Sequence, residues 1–236
     1  NITVNLIQNK TNLGYPKANN QALKIAKGKY VLFLNSDTII EALNFNTILK
    51  YFENNPEVGV LTVKVLLENG SIDPASHRGF PTIWRSFCYF AGLEELFKHV
   101  PFFKKVFGGY HLVSLDKDKI HEIDSPAGAF YLTKRSILNK MNGFDESFFM
   151  YGEDLDLSFR IKKLGYKIIY YPKFEVIHLK HASGLDTSDV ITRKKAKYHF
   201  FEAMKIFYRK HHEKNHFFLV NNFIYILIDI LRKIYE

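Results

Sequence analysis

The segment YVLFLNSDT, from Tyr30 to Thr38, is the part of the sequence that best indicates the fold. An unbroken apolar run, Tyr30–Leu34, is closed by the polar residues Asn35, Ser36 and Asp37. A short apolar run with polar ends is typical of a parallel strand that is buried on both faces of a sheet. The segment therefore predicts a central strand with a carboxylate, Asp37, at its carboxyl end.

The residues before this segment complete a predicted strand, helix and strand. Ile2–Ile7 is β-branched and apolar and predicts a first strand. Pro16 can occupy the first position of a helix, and Gly28 can end that helix. Because two strands joined by a helix normally lie parallel in one sheet, this order predicts an α/β fold.

The rest of the chain continues the pattern with one interruption. Residues 41–56 predict a second helix, residues 58–67 another buried strand and residues 153–165 a further helix. The segment 68–122 is irregular and rich in aromatic and basic side chains, and residues 193–236 predict C-terminal helices. The expected fold class is α/β, with a Rossmann-like, mostly parallel sheet flanked by helices and followed by C-terminal helices.

Composition excludes several classes of protein. With 236 residues and 47% hydrophobic content the chain can bury a sizeable core, and its single cysteine, Cys88, cannot form an internal disulfide. A formal net charge of +9 indicates an anionic partner, which could be phosphate, nucleic acid or a lipid surface. No RNA-recognition, helix-turn-helix or zinc-finger pattern occurs, so nucleic acid is not an expected partner.

Asp37 is a candidate metal ligand because ligands of open α/β sheets bind at the carboxyl ends of the strands. One aspartate there is enough to anchor Mg²⁺ or Mn²⁺ on a diphosphate, since phosphate oxygens and water supply the other ligands. The alternative is that Asp37 caps a following helix. His178, after another β-like run, could bind the same metal or a phosphate, or could be a hydrogen-bonded structural histidine.

The adjacent acids Glu153 and Asp154 follow an aromatic cluster, FFMY, at residues 148–151. One interpretation is structural, because acids in a first helical turn complement the helix dipole. The other is catalytic, with a carboxylate acting as a general base. The segment alone does not decide between them.

In combination these segments resemble a known family. They are NLGYPKANNQAL, GKYVLFLNSDT, SPAGAFYLTKRSILNKMNGFDESFFMYGEDLDLSFRIKKLGYKIIYYP and VIHLKHASG. Taken together, they are similar to the family 2 glycosyltransferases, in particular to the rhamnosyltransferase-like branch, which builds bacterial surface polysaccharides. The resemblance covers Ile2–Gly184. It implies a GT-A fold and an inverting, metal-dependent transfer of a single sugar from a nucleotide sugar, with dTDP-rhamnose as a candidate, to a saccharide or polyprenyl-diphosphate-linked acceptor.

The resemblance also implies roles for individual residues. Asp154 is the expected general base and Glu153 its partner, while Asp37 and His178 are the expected ligands of Mg²⁺ or Mn²⁺. The family's metal-binding element reads Asn35-Ser36-Asp37 here, so only its last acid is present. The expected donor-side residues are Asn12, Gly14, Asn20, Asn35, Gly128 and Ala129. In the acceptor-side segment, Arg78 and Arg85 are candidate contacts to an anionic acceptor, the alternative being solvated surface charges.

The implied organisation is a glycosyltransferase domain over residues 1–184, in which 68–122 is the variable acceptor side, and a helical extension over residues 185–236. We expect that the chain lacks the family's N-terminal strand and helix. The extension mixes aromatic, aliphatic and basic residues and is expected either to pack on the core or to lie on an anionic membrane surface. A cytoplasmic enzyme, peripheral on the inner face of the cell membrane, is then expected. The alternatives are a sugar nucleotidyltransferase and an inactive, membrane-associated scaffold.

Overall fold

The computed structural model describes residues 3–180 and 189–235. In chain order its helices and strands are α1 (Tyr15–Ile25), β1 (Tyr30–Phe33), β2 (Thr38–Ile39), α2 (Phe45–Asn54), β3 (Val58–Leu66), α3 (Ile83–Phe90), α4 (Leu93–Leu96), α5 (Pro101–Phe107), β4 (His121–Glu122), β5 (Tyr131–Lys134), α6 (Arg135–Met141), α7 (Glu153–Lys163), β6 (Lys167–His178), α8 (Val190–His211) and α9 (Phe218–Tyr235). A short 3₁₀ turn spans Pro74–Ser76.

The chain divides into two compact units. The sheet unit comprises Gly28–Met141 and Leu157–Leu179, and the helical unit comprises Asn1–Lys27, Asn142–Asp156 and Lys180–Glu236. The predicted domain boundary at residue 184 lies outside the described residues.

The sheet unit is built on strands in the order β1-β5-β3-β6-β2, with β4 pairing to β6. Its centre is the long pair β3 and β6, which run parallel from Val58 opposite Lys167 to Leu66 opposite Ile177. Nearly every residue of β3 is buried, which agrees with a mainly apolar sequence, interrupted by Thr62 and Lys64, that does not alternate with polar residues throughout. The buried strand predicted over residues 58–67 is therefore confirmed.

Helix α2 covers one face of this sheet. Its Ile48 and Phe52 are fully buried and belong to the same apolar cluster as Leu61 and Val63 of β3. Burial of each such side chain contributes about 1.5–3 kcal/mol to folding, so these contacts hold the helix on the sheet. Helix α2 begins with a side-chain cap, since Asn44 Oδ1 accepts a hydrogen bond from the amide of Thr47 (3.1 Å).

The mixed α/β class is confirmed, but the expectation of a mostly parallel sheet is wrong. Within the described part of the chain, four of the five strand pairings run antiparallel, and only β3 with β6 is parallel. Strand β1 pairs antiparallel with β5 and ends the described strand order, so it is not the central strand that its sequence predicts. Of the four residues of β1 only Phe33 is buried, so the predicted burial on both faces is not observed either. The direction of the strand beside β1 depends on residues about 100 positions away along the chain.

The predicted strand Ile2–Ile7 is also wrong over the residues that the structure describes. Residues 3–9 form no helix or strand, and the side chains of Val4 and Leu6 are 83% and 86% exposed. A strand is stable only when a neighbour completes its hydrogen bonds and covers one face. No strand between residues 3–180 or 189–235 pairs with this segment, so β-branched composition alone does not make it a strand.

The helical unit contains α1, the start of α7, and the antiparallel pair α8 and α9. Between α8 and α9, Lys205 Nζ pairs with Asp229 (2.7 Å), and Tyr208 donates from its hydroxyl to Asn221 Oδ1 (2.7 Å). The C-terminal helices predicted from the sequence are confirmed. Within the described ranges, no helix combines the length and the apolar character needed to cross a membrane.

Helix α1 begins at a backbone contact that requires glycine. Gly14 has a φ of 82°, and a Cβ added there would lie 2.4 Å from the carbonyl oxygen of Phe149. That carbonyl accepts a hydrogen bond from the amide of Tyr15 (2.8 Å), so it cannot move away without breaking this contact.

Gly14→Ala is therefore expected to destabilise the protein more than a positive φ alone would. Gly70 is the matched control, because its φ is 76° and no atom lies within 4 Å of an added Cβ. We expect Gly70→Ala to cost about 1–2 kcal/mol in free energy of unfolding, the cost of the backbone conformation, and Gly14→Ala at least about twice that. Denaturant unfolding of both variants measures the difference, and equal losses would contradict the close contact.

Candidate active site

A cluster of polar side chains lies in the sheet unit where β2 and β6 pair. Strand β6 ends at His178, and the β2 residue Thr38 is its direct partner across the ladder. The amide of Leu179 donates to the carbonyl of Asp37 (3.0 Å), which continues this pairing past the strand. Two predicted metal ligands, Asp37 and His178, are thus brought together although they are far apart in sequence.

The ring of His178 is contacted at both nitrogens. Its Nε2 lies 3.3 Å from Asp37 Oδ1 and 3.2 Å from Asn35 Nδ2, and its Nδ1 lies 2.9 Å from Asp73 Oδ2. His178 is buried, and Asp73 is 0% exposed. This strand-end cluster, Asn35, Asp37, Asp73 and His178, therefore holds two carboxylates and an imidazole in a largely dry environment.

The cluster fits the divalent ion that the family resemblance implies. One carboxylate oxygen and one imidazole nitrogen converge from Asp37 and His178, and His178 has a carboxylate behind its other nitrogen, as metal-binding histidines usually do. In the described part of the chain, no group of three or more His, Cys, Asp or Glu side chains could hold a metal by itself. Diphosphate oxygens and water would have to complete the shell of Mg²⁺ or Mn²⁺.

Asp37 does not cap a helix, so the alternative interpretation of this residue is wrong. The two-residue strand β2 follows it directly, and the next helix, α2, is capped by Asn44. The backbone at Asp37 is held by a strand pairing instead, which turns its side chain towards His178.

Asp73 is a site residue that the sequence does not reveal. It lies in the string NGSIDP, which reads as an ordinary polar turn before Pro74. The only local signal is that an aspartate followed by proline is a typical start of a short helical turn. Its contact with His178 joins positions 105 residues apart and becomes visible only in the folded chain.

The small pair Gly128 and Ala129 lies in the loop before β5. Ala129 is fully buried, and its carbonyl accepts a hydrogen bond from the hydroxyl of Thr38 (3.2 Å). Since Thr38 follows Asp37 directly, this hydrogen bond attaches the loop to the strand-end cluster within the sheet unit. The position agrees with a donor-side role, which remains a prediction.

The acid pair occupies the first turn of α7, as the sequence predicts. Glu153 and Asp154 are each only 8% exposed, and Asp154 Oδ1 accepts a hydrogen bond from the amide of Leu155 (2.7 Å). The neighbouring Phe149 ring stacks on His199 of α8, with ring centroids 4.3 Å apart. The aromatic cluster therefore helps to shield the helix start from water, a setting that suits both the structural and the catalytic interpretation.

The third acid of this turn has a clear structural role. Asp156 is fully buried and pairs with Lys210 (2.6 Å) and with His211 Nε2 (2.8 Å), both on α8. These contacts, within the helical unit, anchor α8 to the start of α7.

The predicted donor-side residues of the helical unit make structural hydrogen bonds. Asn12 Oδ1 accepts from the amide of Gly14 (2.9 Å) and shapes the turn before α1. Asn20 is buried and forms two hydrogen bonds, both 2.9 Å, with the backbone of Phe144, one from its amide nitrogen and one to its amide oxygen. These residues build the turn and brace residues 142–146; direct contact with a donor remains a prediction.

Tyr15 is a further residue that the sequence did not single out. Its hydroxyl is shielded from solvent and has no hydrogen-bond partner among residues 3–180 and 189–235. Burial, together with the negative charges of Glu153 and Asp154, raises the pKa of this phenol far above its usual range. Tyr15 therefore stays protonated and is a neutral hydrogen-bond donor in the neighbourhood of the acid pair.

Arg78 and Arg85 are not solvated surface charges. Arg78 is buried, and its Nη2 donates to the carbonyl of Pro126 (3.3 Å). Arg85 Nη1 pairs with Asp124 Oδ2 (2.8 Å). Burial raises the pKa of the Asp124 carboxyl, but hydrogen bonds from Lys162, from the amide of Phe80 and from Arg85 outweigh it and hold that pKa below its usual range. Both arginines stabilise the segment 68–122; contact with an anionic acceptor remains a prediction.

Comparison with known proteins decides the family. The model of the family described as "Glycosyltransferase like family 2" matches residues 1–198, most of the chain. The chain belongs to glycosyltransferase family 2. Among its relatives, rhamnosyltransferase WbbL of Escherichia coli K12 is 29% identical over 178 residues, which cover 71% of this chain and 61% of that protein.

A second relative comes from Mycobacterium tuberculosis. It is named N-acetylglucosaminyl-diphospho-decaprenol L-rhamnosyltransferase and is 27% identical over 199 residues, or 78% of this chain. The chain spans 61% of the length of each of these two relatives. Among solved structures, GalNAc-T7 with UDP, GalNAc and Mn²⁺ superposes with a TM-score of 0.50 at 12% identity, covering 73% of this chain and 32% of that one. The GT-A fold expected from the sequence is confirmed.

Proposed function

We propose that this family 2 chain transfers a single sugar, with inversion, from a nucleotide-sugar donor to a saccharide or polyprenyl-diphosphate-linked acceptor in the synthesis of a cell-surface polysaccharide. The observation that carries the proposal is the meeting of Asp37 and His178 at one end of the sheet. Both relatives are named as rhamnosyltransferases, which supports rhamnose as the sugar and dTDP-rhamnose as the first donor to test. Family membership favours sugar transfer over the sugar nucleotidyltransferase alternative.

On the donor side, Asp37 and His178 would hold Mg²⁺ or Mn²⁺. When bound, the ion neutralises the negative charge that grows on the leaving diphosphate. Asn35 belongs to the strand-end cluster, and the loop with Gly128 and Ala129 is attached to it through Thr38. These residues would orient the donor. Asn12, Gly14 and Asn20 would act on the donor side through the turn that they build.

On the acceptor side, Asp154 would be the general base. Its carboxylate accepts the proton of the acceptor hydroxyl while that oxygen forms a bond to the anomeric carbon. The bond from the anomeric carbon to the diphosphate oxygen breaks, and the nucleoside diphosphate leaves with the electron pair. Attack on the face opposite the leaving group inverts the anomeric centre. Glu153 would keep the carboxylate of Asp154 in place.

The proposal is tested with a panel of nucleotide sugars that includes dTDP-rhamnose. Each donor is incubated with the chain in the presence of Mn²⁺ or of a chelator, and release of nucleoside diphosphate is measured with and without a polyprenyl-diphosphate-linked saccharide. Metal-dependent release from one donor supports the proposal. Release that survives chelation contradicts the metal role, and no release from any donor by the folded protein supports the inactive scaffold.

A peripheral position on an anionic membrane surface, at the inner face of the cell membrane, is part of this proposal. Residues Phe223, Ile226, Ile230 and Ile234 are exposed along α9 at helical spacing, whereas Ile228 is buried. Basic Lys233 lies in the last turn of the same helix, whereas the neighbouring Arg232 pairs with Glu202 and Asp229. An amphipathic helix with apolar residues on one face and basic residues beside them is suited to the interface of an anionic bilayer.

Replacing Ile226 and Ile230 together by aspartate is expected to lower binding to anionic vesicles by at least about tenfold, because both apolar contacts are lost and two negative charges are added. Co-sedimentation with phosphatidylglycerol vesicles at low salt measures this. Val4→Asp is the control, since Val4 is exposed but lies outside α9. Equal binding of the double variant and the wild type would contradict the role of α9.

A further inference from the structure

We infer that Asp73 is a positioning residue that holds His178 in the tautomer protonated at Nδ1, so that Nε2, which lies beside Asn35 and Asp37, carries a lone pair. The inference rests on the proposed function, because the site that it prepares is the metal site of the strand-end cluster. Asp73 would not touch substrate or metal. It acts only through the ring of His178.

Asp73 is held rigidly by the backbone around it. Its amide donates to the carbonyl of Val65 in β3 (2.9 Å), and its carbonyl accepts from the amide and the hydroxyl of Ser76 (3.0 and 2.7 Å). Its side-chain Oδ1 accepts from the amide of Ala75 (3.0 Å), which caps the 3₁₀ turn. The other oxygen, Oδ2, is thereby directed at His178 Nδ1, 2.9 Å away.

The tautomer follows from counting donors and acceptors. An ionised carboxylate has only acceptors, so the contact with Asp73 requires a hydrogen on Nδ1 of His178. In a neutral imidazole Nε2 then carries a lone pair. The amide nitrogen of Asn35 lies 3.2 Å from Nε2 and can donate to it, which agrees with this assignment.

The consequence is a place suited to a cation. His178 Nε2 and Asp37 Oδ1 lie 3.3 Å apart. In this tautomer both atoms are electron-rich, since Nε2 carries a lone pair and Oδ1 belongs to a carboxylate. Two such groups repel each other unless a positive charge lies between or beside them. With the opposite tautomer, Nε2 would carry a hydrogen, would donate it to Asp37, and would have no lone pair for a metal.

Asp73→Asn tests the inference with almost no change of volume. The new side-chain oxygen can still cap Ala75, but the amide nitrogen would face Nδ1 of His178 as a donor. Nδ1 must then accept, and the ring hydrogen moves to Nε2. Asp189→Asn is the matched control, because Asp189 caps α8 through the amide of Thr192 (2.8 Å) in the helical unit.

Two measurements on the whole chain are combined. Long-range ¹H–¹⁵N spectra of histidine-labelled, metal-free protein at pH 8 report the tautomer of His178, assigned with His178→Gln. Titration with Mn²⁺ alone, followed by electron paramagnetic resonance of the free ion, reports affinity. We expect an Nδ1-protonated ring in the wild type and in Asp189→Asn, and an Nε2-protonated ring with about 10- to 100-fold weaker Mn²⁺ binding in Asp73→Asn.

A wild-type ring protonated at Nε2, or at both nitrogens, would overturn the inference. An Asp73→Asn variant that keeps the wild-type tautomer and affinity would do the same. Since the wild-type tautomer is assigned with His178→Gln and not with Asp73→Asn, the wild-type spectrum decides even if Asp73→Asn does not fold. An Nδ1-protonated ring in a wild-type protein that binds no Mn²⁺, either alone or together with a nucleoside diphosphate, would support the role of Asp73 and refute the metal site of the proposed function, so the two failures are distinguishable.

Discussion

Replacement of Asp154 by asparagine is expected to lower the rate of sugar transfer by about 10²- to 10⁴-fold, the usual contribution of a general base. The amide has nearly the same shape as the carboxylate, and its oxygen can still accept from the amide of Leu155, but it cannot take a proton from the acceptor hydroxyl. Binding of the donor is expected to survive, because other residues are assigned to the metal and diphosphate. Nucleoside diphosphate release measures the rate, and calorimetry measures donor affinity.

Glu153→Gln separates the catalytic interpretation from the structural one. Both acids lie in the first turn of α7 and are equally buried, so a role that depends only on the helix dipole would be shared between them. We expect a clearly smaller loss of rate in Glu153→Gln. Turnover close to normal in Asp154→Asn, or equal losses in both variants, would contradict the assignment of Asp154 as the base.

Replacement of Asp37 by asparagine is expected to weaken Mn²⁺ binding by at least about 100-fold, the upper effect known for residues that only support a metal ligand. Asp37 is the only acid of the family's metal-binding element that is present here, and its carboxylate faces His178. Affinity for the nucleoside diphosphate in the presence of Mn²⁺ should fall with it. Paramagnetic resonance of the free ion and calorimetry measure the two effects.

Asp118→Asn is the control for this variant. Asp118 also belongs to the sheet unit, but its side chain is exposed and pairs with Lys64 (2.8 Å). This substitution should change neither affinity. Unchanged Mn²⁺ binding in Asp37→Asn would rule out Asp37 as a ligand.

The two variants together separate the halves of the proposed mechanism. Asp154→Asn should bind metal and donor but not transfer the sugar, whereas Asp37→Asn should lose metal and donor binding as well as transfer. If both variants lost donor binding, Asp154 would have a role on the donor side or in stability rather than as the acceptor's base.

Local properties of the chain were predictable from the sequence. The helix over residues 153–165 was predicted from Leu157, Ile161 and Leu164 as an apolar face and from Gly165 as its end. Leu157 and Ile161 are buried and Gly165 has a φ of 86° just beyond α7, whereas Leu164 is exposed. Strand β3 was predicted from the mainly apolar, β-branched stretch over residues 58–67. These predictions hold because helix periodicity, helix ends and burial on both faces depend on neighbouring residues.

Pairing between distant segments was not predictable in the same way. The direction of β5 beside β1 and β3 depends on how segments about 70 and 100 residues apart meet, and the apolar sequence of β1 suits either direction. The predicted strand Ile2–Ile7 shows the same limit. Its composition favours a strand, but residues 3–7 are exposed and pair with no strand among the described residues.

By itself the sequence determined the family, the α/β class and the residue types of the candidate site, because each depends on a short string with its own chemistry. Only the tertiary structure decided which of these residues meet. The register of β2 against β6 places Asp37 at His178, and the turn after β3 brings Asp73 behind the ring. Hydrogen bonds and charge act over a few ångströms, so a contact across 105 residues leaves no signal in the local sequence and exists only once the sheet has formed.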